Sequence, residues 1–201
     1  MPDLTSDPLI LAIVAVLAYL LGSVPFGMVI TRALGLGDLR AIGSGNIGAT
    51  NVLRTGNKGA AAATLILDAA KGAVAVLISR ATLGEDAAQV AGLAAFLGHL
   101  FPIWLRFKGG KGVATFLGTL IALSPPVGLA CCAVWALTAA VSRISSLAAL
   151  AAAASSGIWL LVFAQGRMVI VVFVMMILVY LRHSANIARL KSGTEPKIGA
   201  K

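Results

Sequence analysis

The first apolar run covers residues 8–30 and contains no charged side chain. A helix that crosses the hydrocarbon core of a bilayer needs about 20 predominantly apolar residues, so this run predicts a transmembrane helix. Residues 59–79 and 86–105 predict two more, although Asp68 and Lys71 lie within the first of them. The chain is 59% hydrophobic and 11% charged, whereas a soluble domain is about 25% charged. This composition argues against a soluble enzyme, a disordered chain and a disulfide scaffold.

The second half of the chain contains four further apolar segments, at residues 113–123, 127–141, 144–163 and 168–181. Ser124, Pro125 and Pro126 separate the first two of them. Because proline interrupts helices, we expect a hairpin of two short helices there. The sequence therefore predicts an all-α integral membrane protein with about seven transmembrane helices in a single domain, residues 1–201. Five or six spans are the alternative if the short segments merge or stay re-entrant.

The charged residues are few and unevenly placed, with 16 Lys and Arg against 7 Asp and Glu and a net charge of +9. Cytoplasmic loops of membrane proteins carry the excess of Lys and Arg. With the N-terminus outside and seven alternating spans, only Arg80 and Arg167 fall in outside connections, while the tail with Lys201 is cytoplasmic. The acidic residues Asp3 and Asp7 fall outside. We therefore expect an outside N-terminus, a cytoplasmic C-terminus and a functional site at the cytoplasmic face.

A glycine-rich loop at residues 43–51 is the first candidate site, and it closes on Arg54. Its GxGxxG spacing does not indicate a dinucleotide site, because no strand precedes the loop. Glycines still allow backbone N–H groups to approach an anion closely. Short polar donors lie in the same loop: Ser44, Asn46, Thr50 and Asn51. The alternative interpretation is a solvated loop whose Ser44 or Asn51 caps a helix.

Residues 107–112, with the sequence Phe-Lys-Gly-Gly-Lys-Gly, form the second candidate site and precede the helix predicted from Val113. Backbone N–H groups at a helix N-terminus bind phosphate, and a neighbouring lysine adds positive charge. We therefore expect anion binding by Lys108, Gly109, Gly110, Lys111 and Gly112. The Walker pattern is absent from the sequence. The alternative is a basic turn that only follows the positive-inside rule.

The third candidate site follows the last apolar segment and contains His183, Asn186, Arg189, Glu195 and Lys197. His183 and Asn186 are three residues apart and therefore share a helix face, which Arg189 continues. This arrangement predicts a set of polar groups directed at one ligand. The alternative is a basic tail that binds anionic lipid.

Asp68, Lys71 and His99 are further candidates, and they lie inside the apolar segments. Asp68 and Lys71 are three residues apart and can pair on one helix face; charges inside a membrane usually serve function, and a self-neutralised structural pair is the alternative. His99 either reaches a cytoplasmic cavity or bonds to a neighbouring carbonyl.

The adjacent Cys131 and Cys132 lack metal-ligand spacing and predict a packing role. The sequence shows neither an acidic cluster for Mg²⁺ nor an evident covalent nucleophile.

These motifs resemble those of the bacterial PlsY family, the acyl-phosphate:glycerol-3-phosphate acyltransferases. The resemblance covers nearly the whole chain and rests on residues 22–27, 38–40, 43–54, 67–72, 98–99, 107–115 and 183–189. It implies a seven-helix membrane enzyme that moves a fatty acyl group from acyl phosphate to the 1-hydroxyl of sn-glycerol 3-phosphate. The products would be lysophosphatidic acid and inorganic phosphate, in the first step of bacterial phospholipid synthesis.

The resemblance also implies a location and partners. The enzyme would lie in the bacterial cytoplasmic (inner) membrane with its active site on the cytoplasmic side. It would use no cofactor, metal or nucleic acid, and its partners would be the two substrates, membrane lipid and the enzyme of the same pathway that produces acyl phosphate. A transporter for a phosphorylated solute and a non-catalytic lipid-binding scaffold are the alternatives from other functional classes.

Residue roles follow from the same resemblance. The expected catalytic residues are Ser44, Lys111, His183 and Asn186. The expected substrate-binding residues are Arg54, Asn46, Thr50, Asn51, Gly109, Gly110, Gly112, Lys108, Arg189 and Glu195, and the secondary candidates are His99, Asp68 and Lys71. The glycines with Lys111 would cradle the phosphate of the acyl donor. Glycerol phosphate would be held by Ser44, Arg54 and Lys111, and phosphate or carbonyl oxygens would accept from Asn46, Thr50 and Asn51. His183 and Asn186 would orient the hydroxyl or the substrate. The proton would pass to a phosphate oxygen of the donor, with His183 as general base the alternative.

Overall fold

The computed structural model describes residues 4–199, and the regular structure within that range is entirely helical. Asp3 and Lys201, whose charges enter the topology prediction, lie outside the described residues. Ten α-helices are described: α1 (Pro8–Gly22), α2 (Phe26–Ala33), α3 (Ala49–Val52), α4 (Lys58–Leu83), α5 (Glu85–Leu100), α6 (Val113–Leu123), α7 (Pro125–Ser142), α8 (Ser145–Val162), α9 (Val169–Arg182) and α10 (Ser184–Lys191).

Five helical segments between residues 4 and 199 are long and apolar enough to cross a membrane: Pro8–Ala33, which joins α1 and α2, Lys58–Leu83, Glu85–Leu105, Pro125–Ser142 and Ser145–Val162. The segments Gly166–Arg182 and Ser184–Lys191 meet at a 60° bend and make a sixth if they are counted as one span. Helix α6 has 11 residues and is therefore about 16 Å long, against about 30 Å for a hydrocarbon core. The seven-span count stays a prediction.

The first apolar run is broken rather than continuous, because α1 ends at Gly22 and α2 begins at Phe26. Pro25 lacks an N–H group and disfavours helical geometry in the residue before it. The break leaves the Val24 carbonyl free of the helical ladder, and it accepts a hydrogen bond of 3.0 Å from Lys71 Nζ. The helix break at Pro25 therefore allows a backbone carbonyl of the first span to bind a charged residue of α4.

The predicted hairpin forms at Ser124, but only α6 is short, and α7 continues for 18 residues. The expectation of two short helices is wrong because Pro125 and Pro126 occupy the first turn of α7. Proline is tolerated there, where an N–H group has no acceptor within the helix. A β-carbon on Gly128 would overlap the backbone of Ile121, so the two helices approach closely at the turn.

Small residues set the spacing of the helices around α5. A β-carbon on Gly22 of α1 would overlap the Ala95 carbonyl oxygen of α5, and one on Gly98 would overlap the Tyr19 carbonyl oxygen. Gly118 of α6 has the same relation to the Ala69 carbonyl of α4. Because lipid supplies no hydrophobic force between helices, such close backbone contacts are the main source of helix association in a bilayer. They fix the frame that carries the functional side chains.

We predict that Gly22→Ala lowers the melting temperature of the purified protein in detergent. The new methyl group would collide with a backbone carbonyl that cannot move aside, so α1 and α5 must separate, at a cost of about 1–3 kcal/mol. Gly166→Ala is the control, because no atom lies within 4 Å of the position that its new methyl group would take. Equal melting temperatures for the two variants would show that the contact between α1 and α5 does not require glycine.

Candidate active site

A cavity of about 680 Å³ lies where α4, α6 and α8 begin and where α5 and α9 end. Its polar lining comes from three loops and two helix termini, and most of the predicted site residues belong to it: Ser44, Asn46, Thr50, Asn51, Arg54, Asp68, His99, Lys111, Gly112, His183, Asn186, Arg189, Glu195 and Lys197. Its apolar lining includes one face of α6 along most of its length, at Val113, Ala114, Leu117, Gly118 and Ile121. The cavity therefore joins a cation-rich part to an apolar branch.

Four predicted residues do not line the cavity: Lys71, Lys108, Gly109 and Gly110. The amides of Gly109 and Gly110 donate to the carbonyl oxygens of Leu100 and His99, both at 3.1 Å. Their N–H groups are therefore already paired, and the expectation that they cradle a phosphate is wrong. Lys108 is exposed, and its carbonyl accepts a bond of 2.7 Å from Arg40. Its predicted role in substrate binding is not supported by its position.

Asn51 lines the cavity, but its side chain holds the glycine-rich loop at residues 43–51 in place. Its side-chain amide donates to the carbonyls of Leu39 at 2.8 Å and Ile42 at 3.1 Å, and its oxygen accepts from the Ser44 backbone N–H at 3.3 Å. The residue is 3% exposed. Because both amide hydrogens are used, the expected donation from Asn51 to a substrate is wrong, and the residue shapes the loop instead.

Arg54 is one of the cavity cations, with Lys58, Lys111 and Lys197, that have no side-chain partner among residues 4–199. Its half-buried side chain has neither a hydrogen bond nor an ion pair with a described residue. The guanidinium lies over Gly43, where a β-carbon would overlap Nη1. Gly43 also has φ +52°, a left-handed conformation that favours glycine. The first loop is therefore shaped to hold an arginine that is available to an anion.

Lys111 lines the same cavity and lies two residues before the start of α6. Burial is the main reason why the pKa of Lys111 falls to about 8, and the positive charges of Arg189, Arg182 and Arg54 lower it further, while Glu195 raises it. The first amides of α6 have no acceptor within their helix, and Gly112, at the same end, lines the cavity. A lysine and a helix N-terminus at one place favour an anion.

His183 follows the end of α9, and its Nδ1 lies 2.7 Å from the Val179 carbonyl oxygen. A carbonyl only accepts, so Nδ1 carries the hydrogen and Nε2 is the ring nitrogen left for a ligand. Asn186 is 4% exposed, its amide donates to Glu195, and its buried side-chain oxygen has no partner among the described residues. The predicted face therefore exists and offers two acceptors to the cavity.

The sequence suggested that Glu195 binds substrate directly. In the structure its carboxylate instead holds this face of the cavity together. Its carboxylate accepts bonds from Ser146 at 2.7 Å, from Asn186, and from Arg189 Nε at 2.7 Å. Burial alone would raise the pKa of Glu195, but these hydrogen bonds and the Arg189 charge hold the pKa below its ordinary value. The carboxylate thus joins α8, α10 and the tail on one side of the cavity.

The tail after α10 contributes three cavity residues that were not predicted from the sequence, beside the predicted Glu195 and Lys197. Pro196, Ile198 and Gly199 line the cavity together with Glu195. The Ile198 N–H donates to the Arg143 carbonyl at 2.6 Å, which fastens the tail to the α7–α8 turn. The available signal was the single acidic residue within a basic segment, because a buried carboxylate needs several donors.

Comparisons with known proteins identify the fold. The fold is similar to a crystal structure of PlsY, an integral membrane glycerol 3-phosphate acyltransferase, in its glycerol 3-phosphate form. The TM-score is 0.88 and the identity 40%, over 94% of this chain and 96% of that chain. The lysophosphatidic acid form gives a TM-score of 0.86 and 39% identity, over 94% and 95%.

Sequence comparison gives the same family. The family model described as glycerol-3-phosphate acyltransferase matches residues 12–193. A relative of that name from Cereibacter sphaeroides is 66% identical over 100% of this chain and 96% of its own length. Another, from Ruegeria pomeroyi, is 64% identical over 100% and 99%. The chain belongs to the PlsY family of glycerol-3-phosphate acyltransferases. Like the solved PlsY, it is an integral membrane protein with several apolar helices.

The predicted ion pair of this PlsY-family chain is present. Lys71 Nζ lies 2.7 Å from Asp68 Oδ1, and His99 Nδ1 lies 3.6 Å from the same oxygen. Asp68 and His99 line the cavity, whereas Lys71 lies behind them. Of the two interpretations of His99, the structure agrees with the one in which it reaches the cavity, and Nδ1 has no hydrogen bond to a carbonyl in the described range. The group is a neutralised cluster at the wall of the cavity.

Replacing Glu195 by Gln tests the anchoring role of the carboxylate. The new amide nitrogen would face the donor Nε of Arg189, so we expect the tail to become sensitive to protease and the unfolding free energy to fall by about 1–3 kcal/mol. Glu85→Gln is the control, because the Glu85–Arg80 pair is partly exposed, with side-chain exposures of 38% and 32%, and such pairs contribute less than about 1 kcal/mol. An unchanged cleavage rate of the tail in Glu195→Gln would contradict the anchor.

Proposed function

We propose that this chain transfers a fatty acyl group from acyl phosphate to the 1-hydroxyl of sn-glycerol 3-phosphate, with release of lysophosphatidic acid and inorganic phosphate. The observation that supports it most directly is the joining, in one cavity, of two separate cations, Arg54 and Lys111, to an apolar branch along α6. Two phosphate-bearing substrates and one acyl chain need these features. The names of the relatives and the two solved forms of PlsY support the same reaction.

The same proposal includes a membrane topology. We infer one domain over residues 1–201 that makes seven passes in the bacterial inner membrane, with the N-terminus outside and the cavity and C-terminus at the cytoplasmic side. Alternating passes explain why α4, α6 and α8 begin at the cavity whereas α5 and α9 end there. Helix α6 would be a short seventh pass, completed by the deep hairpin turn at Ser124. The basic residues Lys58, Arg106 and Arg143 then fall on the cytoplasmic side, as the positive-inside rule requires.

The acyl donor occupies the α6 side of the cavity in this proposal. Lys111 and the first amides of α6 hold its phosphate, and the acyl chain follows the face formed by Ala114, Leu117, Gly118 and Ile121. Acyl phosphate is a mixed anhydride, so its carbonyl carbon is activated before it binds. Direct attack by an alcohol therefore needs no covalent enzyme intermediate. The helix N-terminus stabilises the negative charge that develops on the carbonyl and phosphate oxygens.

Glycerol 3-phosphate occupies the opposite side, with its phosphate on Arg54 and with hydrogen bonds from Ser44, Asn46 and Thr50. Two anions in one cavity repel each other, and the cations that bind them reduce that repulsion. Holding the two substrates in register also removes most of the entropic barrier of a reaction between two molecules. Positioning and charge neutralisation are therefore the main contributions of the protein.

His183 and Asn186 orient the attacking hydroxyl. The free Nε2 of His183 accepts a hydrogen bond from the hydroxyl, and the unpartnered oxygen of Asn186 is a second hydrogen-bond acceptor. The hydroxyl oxygen then bonds to the carbonyl carbon, the bond from that carbon to the phosphate oxygen breaks, and the proton passes to the departing phosphate. His183 as general base is the competing assignment, since the same Nε2 could take the proton.

The decisive experiment incubates the purified protein with palmitoyl phosphate and labelled glycerol 3-phosphate. We expect lysophosphatidic acid from the wild type and little from Lys111→Ala, because this variant loses the cation that holds the donor phosphate. Palmitoyl-CoA in place of palmitoyl phosphate tests the donor, and no product is expected from it. Equal product from wild type and Lys111→Ala, or product only from the CoA ester, would reject the proposal.

The pKa of Lys111 predicts an alkaline limit to activity. A lysine is a cation below its pKa, so kcat/KM for palmitoyl phosphate should be constant near neutral pH and fall as the pH rises through about 8. In Lys111→Arg the fall should move to higher pH, because arginine stays charged. A pH–rate profile from pH 6 to 10 measures both, and an identical alkaline limb in the two proteins would exclude Lys111 as its origin.

His183→Ala separates the two roles of His183. If the residue orients the hydroxyl, kcat should fall by about 10²-fold while the pH–rate profile keeps its shape. If it is the general base, the acidic limb of the profile should disappear together with most of the rate. His183→Asn is the matched variant, because it keeps a hydrogen-bond acceptor but not a ring base, and the orienting role predicts that it recovers part of the rate.

A further inference from the structure

Arg182 is the last residue of α9 and immediately precedes His183. Its Nε donates to the Gly110 carbonyl at 3.2 Å and its Nη2 donates to the Gly109 carbonyl at 3.0 Å. The guanidinium carbon lies 5.5 Å from the centre of the Phe101 ring, at the end of α5. One half-buried side chain thus contacts two consecutive carbonyls of the α5–α6 loop and the aromatic ring at the end of α5.

The loop that Arg182 holds needs an external restraint. Gly109, Gly110 and Gly112 surround Lys111, and glycine loses more conformational freedom on folding than any other residue. Two backbone bonds, from the amides of Gly109 and Gly110, fasten the loop to the end of α5. Within residues 4–199, the hydrogen bonds between this loop and the end of α9 are the two made by Arg182.

We propose that Arg182 is a positioning residue that sets Lys111 and the first turn of α6 at a fixed distance from His183. This inference rests on the proposed function, in which Lys111 holds the donor phosphate and His183 orients the acceptor hydroxyl. The two groups come from different elements, the α5–α6 loop and the end of α9. A reaction between two bound substrates depends on their relative placement. Arg182 links the loop that carries Lys111 to the end of α9, which carries His183.

Arginine suits this connection better than lysine does. Its planar fork presents several N–H groups in a fixed geometry, so one side chain can bond to two carbonyls at once. A lysine has a flexible stem and a single ammonium group, and it would reach one carbonyl at most in a defined orientation. The charge matters less than the fork, because both acceptors are neutral carbonyl oxygens.

Arg182 also acts on the titration of Lys111. Burial is the main cause of the lowered pKa of Lys111, and the Arg182 charge contributes to it together with the charges of Arg189 and Arg54, against Glu195. The ring of His183 also faces Lys111, and Asp68, His99 and Lys197 line the same cavity. With these neighbours unchanged, removal of the Arg182 charge should move the alkaline limb of the pH–rate profile upward.

The test compares Arg182→Met and Arg182→Lys with wild type and with Arg167→Met. Arg167 is an exposed arginine at the opposite end of α9 and has no part in the cavity, so Arg167→Met is the matched control. Hydrogen–deuterium exchange of the peptide that covers residues 106–114 reports on the loop without any need for activity. We expect exchange about tenfold faster in Arg182→Met and no change in Arg167→Met.

Kinetics then separate positioning from general destabilisation. We expect Arg182→Met to raise the KM for palmitoyl phosphate about tenfold, with the KM for glycerol 3-phosphate changed less than about twofold. Arg182→Lys should show the same selective rise without the shift of the alkaline limb, because it keeps the charge but not the fork. A merely structural role would lower the folded fraction and leave both KM values unchanged in the folded enzyme.

Several outcomes would overturn the inference. Unchanged loop exchange in Arg182→Met, or equal effects on the two KM values, would show that Arg182 does not position Lys111. If Arg182→Met does not fold, wild-type exchange and a wild-type KM for palmitoyl phosphate in Arg182→Lys would overturn it as well. If the wild type makes no lysophosphatidic acid, the proposed function fails, while the exchange comparison still decides whether Arg182 holds the loop.

Discussion

The ion pair between Asp68 and Lys71 is the interaction on which the cavity end of the helix bundle depends. A charge in an apolar interior is expensive unless it is paired and hydrogen-bonded. Both charges lie in α4, and further contacts to this part of α4 come from other helical segments. Lys71 also donates to the Val24 carbonyl at the α1–α2 break, and the Asp68 carbonyl accepts from Thr115 of α6 at 2.8 Å. His99 of α5 stands against the Asp68 carboxylate. Four helical segments are thereby held in register around one charged pair.

This register decides which polar groups remain available to a ligand. The side chains of Asn51 and Glu195 and the amides of Gly109 and Gly110 are already paired with the protein. The groups without a partner in the described residues include Arg54, Lys111, the free ring nitrogen of His183 and the side-chain oxygen of Asn186. A cavity of this kind binds anions through a few groups held in place by many others, so that little reorganisation accompanies the reaction.

Family membership and geometry support each other but answer different questions. The comparisons assign the chain to the PlsY family and relate it to proteins named for glycerol 3-phosphate acylation. The geometry divides the predicted residues into those that face the cavity and those that support it. Arg182, which was not among the predicted residues, also supports the cavity, because its side chain donates to two carbonyls of the glycine-rich loop.

The sequence by itself determined the helical class, the position of each apolar segment, the ion pair in α4 and the three polar clusters. These features depend on local spacing and on the low polarity of a bilayer, and both can be read along the chain. Tertiary structure decided the functions of individual groups within the clusters. Whether Gly110 offers its amide to a phosphate or to the His99 carbonyl depends on a contact between distant elements. The same holds for Glu195, whose three donors come from α8 and α10. Hydrogen-bond satisfaction is a property of the folded neighbourhood, so no reading of residue types alone could have assigned it.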